Sequence, residues 1–313
     1  MIILPHQKTP TQIQLETLTP RLSTQDPLYP TLLEYLKREQ SGFSGERSLD
    51  FYYKQLPKTP LLLHGLRLRD ESSAYFQIDT LMFFQNFILI VEVKNYAGVL
   101  AYDVETGLLT REKENGKIDR FDDPIAQVQL QRYRLQRYLS FGNLPIYTLV
   151  VFSNPNCLLH ILGQQPNMLL RERLPQRITE LLTANKSINC KQSELLQIAT
   201  QLKDAHEPST VNIIEKFQIN HSVIQSGVWC TSCKREYMIR KSRNWYCPSC
   251  RHRDPDASFK TLQEYKTLFG REITSNQAER FLNLDSRKIV KNILVRSNCK
   301  KVGENKGAKY IIP

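Results

Sequence analysis

The segment Phe87-Ile-Leu-Ile-Val91 sets five large apolar side chains in a row and is followed directly by Glu92-Val-Lys94. Such a run is too apolar for an exposed sheet edge, so it reads as a buried strand with two charged residues at its end. A second continuous apolar run of buried-strand length spans 146–152. Further strand-like runs lie at 61–68, 75–82 and 97–102, and 125–139 carries Ile125, Val128, Leu135 and Leu139 at helical spacing. Asn115-Gly116 marks a tight hairpin turn. Upstream, 31–40 reads as a short helix, Gly42-Phe-Ser-Gly45 breaks it, and 46–55 reads as a second helix with Leu49, Tyr52 and Tyr53 on one side. Residues 1–30, rich in Pro and Thr, read as an irregular lead-in, 165–207 as helical, and 208–225 as a linker. The order helix, strands, helix, strand predicts an α/β domain with a mixed sheet.

The charges at the end of the buried run carry the chemistry. Alternation puts Ile88, Ile90, Glu92 and Lys94 on one face, with Phe87, Leu89, Val91 and Val93 on the other. If Gln85 and Asn86 form a two-residue hairpin loop, residue 84 faces 87 and Asp79 faces Glu92, with Cβ atoms about 5 Å apart. Two carboxylates so close repel each other, and a divalent cation turns that repulsion into a binding site. Hard oxygen donors suit Mg²⁺ or Mn²⁺. Lys94 beside such a site can stabilise charge developing on a phosphate or position an attacking water.

Gly45-Glu46, Gln77-Ile-Asp79, Ile90-Val-Glu92-Val-Lys94-Asn-Tyr-Ala-Gly98 and Asp123-Pro-Ile-Ala-Gln127 occur in the order and spacing of the NERD (nuclease-related) domain, which this segment resembles over about residues 40–155. The resemblance implies a restriction-endonuclease-like core of the PD-(D/E)XK nuclease superfamily. It implies Asp79 and Glu92 as metal-binding carboxylates, Lys94 as the catalytic lysine, and Glu46 as the acidic residue of the first helix and a further candidate ligand. Gln127 matches the family's glutamine, with Gln131 one turn later on the same helix face as the alternative. Where the family has Asn-Pro before this helix, the chain has Asp123-Pro124, a compatible change because Asp also caps and Pro suits the first turn. Arg132, Arg134 and Arg137 on that helix are candidates for phosphate contact or for a solvated face.

Cys230-Thr-Ser-Cys233 and Cys247-Pro-Ser-Cys250 form two CxxC pairs with thirteen residues between them. Two such knuckles converge on one tetrahedral Zn²⁺, as in a zinc ribbon. Four thiolates leave no open position, so the ion is expected to be structural. Redox pairs are the competing reading, but no βαβ pattern surrounds them. The segment 234–246 between the knuckles mixes aromatic residues with five basic ones, a composition that suits nucleic acid.

Residues 226–313 hold 19 Lys and Arg against 8 Asp and Glu, a balance of +11 out of the chain's +12. Excess positive charge concentrated in one small region points to a polyanion. Within it, 273–282 and 285–294 read as two short capped helices joined by a tight turn, opened by Thr274 or Ser275 and by Asp285. A Gly-rich basic turn between two short strands follows, so the segment resembles a winged helix. Arg287, Lys288 and Lys291 are expected to face duplex DNA while Ile289, Ile293 and Leu294 turn inward, and Lys301, Lys306 and Lys309 are expected to reach phosphates.

The expected organisation is a lead-in and helix over 1–40, the nuclease-like core over 41–155, a helical extension and linker over 156–225, the zinc ribbon over 226–255, and a winged-helix-like DNA-binding domain over 256–313. No apolar run approaches the ~20 residues of a membrane span, and the first residues lack a basic, then apolar, signal pattern, so a cytoplasmic protein is expected. The expected activity is metal-dependent hydrolysis of DNA phosphodiesters. The competing expectation is a non-catalytic DNA-binding or regulatory protein that keeps a nuclease fold as scaffold.

Overall fold

The buried runs become the middle of a six-stranded sheet. The computed structural model describes residues 1–113, 115–139, 144–234, 236–241, 244–304 and 308–313. The chain divides into two compact units, Met1–Lys8 with Arg38–Ser209, and Thr9–Lys37 with Thr210–Pro313. Its elements begin with β1 (Ile2–Leu4), α1 (Pro10–Leu18), α2 (Tyr29–Ser48) and α3 (Asp50–Tyr53). The strands β2 (Leu61–Arg69), β3 (Tyr75–Phe83), β4 (Ile88–Lys94), β5 (Gly98–Asp103), β6 (Leu108–Glu112) and β7 (Ile118–Phe121) follow. The first unit then continues with α4 (Pro124–Tyr138), β8 (Ile146–Phe152), β9 (Cys157–Leu162), β10 (Met168–Leu170), α5 (Leu174–Ala184) and α6 (Gln192–Asp204).

Within the first unit the large sheet has the order β1-β2-β3-β4-β8-β10, and β7-β6-β5-β9 form a second sheet of four strands. The β4–β8 pair is parallel, from Ile88 opposite Ile146 to Lys94 opposite Phe152. Parallel neighbours need a long crossover, here supplied by β5 to β7 and α4. Both faces of β4 are covered, which is why it reads as an uninterrupted apolar run. On one face Ile88 and Ile90 join Val128, Leu135 and Leu139 near α4 and Leu195, Ile198 and Leu202 of α6. On the other, Leu89 and Val91 join Leu49, Tyr53 and the α5 residues Leu174, Ile178, Leu181 and Leu182.

The β3–β4 hairpin has the expected register: Thr80 faces Val91, Leu81 faces Ile90, and the Phe84 amide donates to the Phe87 carbonyl at 2.9 Å. The β2–β3 pair contains a reversal of phase. The core face takes Leu61 and Leu63 from β2, then switches to Leu66 and Leu68, while their partners change from Phe83 and Leu81 to Ile78 and Phe76. The switch falls at Gly65, whose φ of +61° is open to glycine and strained for other residues, and at Asp79, the two residues the ladder passes over between the His64–Thr80 and Leu66–Ile78 pairs.

Several elements differ from expectation. Residues 1–30 are not an irregular lead-in: Ile2–Leu4 adds an edge strand parallel to β2, and Pro10–Leu18 is a helix capped by the Thr9 hydroxyl. Gly42 and Gly45 do not break the helix, which runs unbroken from Tyr29 to Ser48. Glycine inside a helix costs roughly 1 kcal/mol relative to alanine, so it weakens a helix without forbidding it. The segment after residue 155 contributes two strands, Cys157–Leu162 and Met168–Leu170, before its helices begin. The turn at Gly116 is present, with φ +73° and its amide donating to the Lys113 carbonyl at 2.8 Å.

The second unit continues with α7 (Ile213–Lys216), β11 (Ile239–Lys241), β12 (Asn244–Tyr246), β13 (Arg253–Asp254), α8 (Ala257–Phe269), β14 (Glu272–Thr274), α9 (Ser275–Leu282), α10 (Arg287–Arg296), β15 (Lys300–Val302) and β16 (Lys309–Ile311). Its first apolar cluster gathers Leu15, Leu18, Leu32 and Leu36 with Ile213, Ile214 and Leu268, and its second gathers Trp245, Leu262, Ile273, Phe281, Val290, Ile293 and Leu294. Arg21 is almost fully buried, paired with Glu264, donating to the carbonyls of Gln225 and Gly227, and lying 4.5 Å from the Phe281 ring centre. A buried guanidinium is tolerated because charge and donors are both matched. Strands β14, β16 and β15 form a small antiparallel sheet. Among the described residues, no helix is long and apolar enough to cross a membrane.

Both faces of the large sheet need helices from beyond residue 153, namely α5 and α6. A fragment of residues 41–153 is therefore expected to lack a cooperative thermal transition and to bind a hydrophobic dye. A sharp melt of that fragment, followed by near-UV circular dichroism, would show that the core closes without α5 and α6.

Candidate active site

Glu92 lies at the last turn of buried strand before β4 reaches solvent, and only 2 % of its surface is exposed. A carboxylate there must be hydrogen-bonded or matched by charge. Its Oε1 accepts from Lys94 Nζ at 2.8 Å and from Gln127 Nε2 at 2.7 Å, and its Oε2 accepts from Gln131 Nε2 at 2.8 Å. Lys94 Nζ also donates to Gln127 Oε1 at 2.8 Å, closing a three-membered network. Both glutamines come from α4, one turn apart. The helix is positioned by its N-terminus, where Asp123 Oδ1 accepts from the Ile125 amide at 2.8 Å and from the Tyr102 hydroxyl at 3.0 Å. Asp123 thus caps the helix as Asn would.

Asp79 turns to the same end of β4. Its Oδ2 accepts from the Val93 amide at 2.8 Å. Burial, then the negative charges of Glu92 and Glu46, hold its carboxyl well above the usual range. Glu46 follows the same logic: burial, then Glu92 and Glu39, push it up to about 7. Burial is the strongest single influence on Lys94 and works to lower it, but the charge and hydrogen bond of Glu92, joined by Tyr96 and Asp79, shift it upward on balance. Glu46, Asp79, Glu92, Lys94 and Gln127, far apart in sequence, therefore share one electrostatic neighbourhood.

Gly45 explains how Glu46 reaches it. A Cβ at this position would lie 2.6 Å from Asn95 Cβ and 2.8 Å from Ser153 Oγ, so only glycine lets α2 approach the ends of β4 and β8. Asn95 ties the contact, donating to the Ser41 carbonyl at 2.7 Å and accepting from Asn154 at 2.9 Å. Neither Asn95 nor Asn154 was expected in this role. Arg134 and Arg137 are engaged in ion pairs with Asp70 at 3.6 Å and Glu71 at 2.6 Å.

A second cluster escaped the sequence altogether because its members are scattered. His6, on the segment after β1, meets Asp50 at 3.1 Å through Nε2, faces Glu46 at 3.9 Å through Nδ1, and stacks on His64 with ring centres 3.7 Å apart. Ligand atoms of His6, Asp50 and His64 lie within 4.8 Å of one another. The two rings are only 19° from parallel, so their in-plane lone pairs do not converge on a common point. This arrangement is a stacked and hydrogen-bonded group, not a preformed ligand set.

The cysteines differ in that respect. Cys230 and Cys250 sulfurs are 3.6 Å apart, and those of Cys233 and Cys247 are 3.7 Å apart. Sulfurs at the corners of a tetrahedron around zinc stand about 3.8 Å from each other, given bonds of about 2.3 Å. The Cys233 and Cys250 amides each donate to the first sulfur of their own knuckle at 3.5 Å, and Lys234 and Arg251 adopt the left-handed conformation that turns each knuckle. The four cysteines can hold a metal ion.

Arg287, Lys288 and Lys291 are exposed on α10, Arg287 lying 3.6 Å from Glu279. The cap is Ser286 rather than Asp285, and Val290 joins Ile293 and Leu294 as the buried residues while Ile289 is only partly covered. Thr274 caps α9 as expected, in a reciprocal box with Gln277. Lys301 is exposed, Lys309 pairs with Glu272 at 2.6 Å, and Lys306 lies outside the described residues.

Residues 41–153 match the family model of the nuclease-related domain, NERD. The curated proteins and the solved structures contain no match to the chain.

Glu46 gives the site a pH signature in metal-free protein. Below about 4.5 both folded and unfolded chains hold its proton; between 4.5 and about 7 only the folded chain does; above 7 the folded state carries the full cost of the charge. Stability from this group therefore falls as pH rises from 4.5 to 7. Glu46→Gln is expected to flatten that part of the melting-temperature profile relative to the parent chain. Superimposable slopes would show that Glu46 titrates normally.

Proposed function

We propose that this chain is a divalent-metal-dependent deoxyribonuclease of the PD-(D/E)XK type, with Glu46, Asp79, Glu92, Lys94 and Gln127 as its active site. The observation that carries the reading is the gathering of Glu46 and Asp79 about Glu92 and its Lys94 partner, with Asp79 and Glu46 both raised by burial and then by the Glu92 charge. A donor set that repels itself is short of positive charge, and hard carboxylate oxygens fit Mg²⁺ or Mn²⁺. Asp79 and Glu92 would hold the ion, with Glu46 as a further ligand. When bound, it supplies a lowered water pKa and neutralises phosphate charge.

The side chains divide the remaining work. Lys94, fixed between Glu92 and Gln127, presents its ammonium where a phosphate oxygen gains charge. Gln127 is exposed and holds Lys94 and Glu92 in register with each other. The Val93 amide orients Asp79.

DNA binding is assigned to the second unit. The order α8, β14, α9, α10, β15, β16 supports reading this segment as a winged helix, with α10 as the recognition helix and β15–β16 as the wing. Its exposed Arg287, Lys288 and Lys291, with Lys301 and Lys309 and with Lys306 from the sequence, suit a duplex phosphate backbone. Zn²⁺ in the four-cysteine site would staple β11 to β13, without an open coordination position for chemistry.

The defining experiment is cleavage of linear and circular DNA with Mg²⁺ or Mn²⁺ and with chelator. Asp79→Ala is expected to keep DNA binding and lose cleavage by at least about a hundredfold. Equal cleavage by parent and variant, or a parent protein that binds DNA and never cuts it, would sink the nuclease reading. In parallel, Lys288→Ala with Lys291→Ala should lower the slope of log affinity against log salt by about 2. An unchanged slope would move the DNA site off α10.

A further inference from the structure

We infer that Gln131 is a positioning residue that locks the second oxygen of Glu92, so that α4 holds both ends of this carboxylate. The inference rests on the metal-dependent reading of the site for its consequence, but its geometry stands alone. Gln127 and Lys94 occupy Oε1, and Gln131 occupies Oε2. A carboxylate fixed at one oxygen can still swing about its last torsion, and a hydrogen bond at each oxygen removes that freedom.

Position 131 is a core position in every other respect. The buried stripe of α4 is Pro124, Val128, Gln131 and Leu135, the spacing at which an apolar residue is expected. Gln131 is only 6 % exposed, and its Oε1 has no hydrogen-bond partner among the described residues. A buried acceptor without a partner costs stability, so folding alone does not account for a glutamine here. Turning the amide over would bring Oε1 against Glu92 Oε2, oxygen to oxygen, so the donor has to face the carboxylate.

The neutrality of the amide matters as much as its reach. A lysine at this position would cancel the Glu92 charge and compete with a divalent cation, and a glutamate would add to the repulsion. An amide donates one hydrogen bond and leaves the full negative charge in place. Gln127, by contrast, is exposed and also touches Lys94, whereas among the described residues the Gln131 side chain hydrogen-bonds Glu92 alone.

The test is Mn²⁺ binding to the full chain, followed as free Mn²⁺ by electron paramagnetic resonance, with Asp79→Ala setting the background. Gln131→Met keeps volume and removes both donor and orphaned acceptor. It is expected to weaken the Asp79-dependent Mn²⁺ site about tenfold or more, while the metal-free melting temperature stays level or rises. Cleavage should then recover at saturating Mn²⁺, a shift in metal requirement rather than in maximal rate. Unchanged Mn²⁺ affinity in Gln131→Met would overturn the inference and leave the nuclease reading untouched. So would a fall in melting temperature in step with lost affinity in both Gln131→Met and Gln131→Leu, which marks a structural role. Absence of any Asp79-dependent Mn²⁺ binding in the parent chain would remove the nuclease reading and this inference together.

Discussion

Negative charge held inside the end of a strand organises the first unit. Glu92 has almost no access to water, and one ammonium and two amides surround it. Each of these partners depends on a different part of the fold. Lys94 follows from strand alternation, the glutamines from the placement of α4, and α4 in turn from the Asp123 cap and its bond to Tyr102. Asp79 arrives through the β3–β4 hairpin, and Glu46 through the close approach that Gly45 permits. The result is a site whose carboxylates outnumber its cation. Proteins meet such an imbalance with protons or with metal.

How far this was legible in the sequence depended on the range of each contact. The hairpin register followed from local rules, because an apolar run, a two-residue loop and a period of two leave one phase. The helix through Gly42 and Gly45 was misread because glycine looks like a breaker when only the local chain is visible. Its purpose appears once Asn95 and Ser153 stand 2.6 and 2.8 Å from where a side chain would begin. Gln131 looked like an alternative to Gln127, whereas the two hold different oxygens of one carboxylate. His6 could not have been found at all, since nothing local links residue 6 to Asp50 and His64. Short strands such as Met168–Leu170 leave too little pattern to distinguish from a helix start.

In the second unit the cysteine spacing was the most informative signal, because knuckle geometry is encoded within four residues. The pairing across knuckles, Cys230 with Cys250 and Cys233 with Cys247 as nearest sulfurs, needed the fold. Helix α8 was not anticipated, although Leu262, Tyr265 and Leu268 recur at helical spacing; it supplies apolar residues to both clusters of the unit. The shift of a helix start from Asp285 to Ser286 is of the size that capping signals commonly leave open.

The phase reversal at Gly65 and Asp79 bears on how such a domain can vary in length. On either side of it the strands alternate regularly, so a residue gained or lost there would carry every later side chain to the wrong face. The turn at 70–74 is different: it is outside both ladders, with Asp70 Oδ1 accepting from the Ser72 and Ala74 amides at 3.0 Å each. The hairpin tip can therefore gain or lose residues without changing the phase of either strand. The span from Asp79 to Glu92 has no such freedom, and its thirteen-residue step is a ruler for the distance between the two acids.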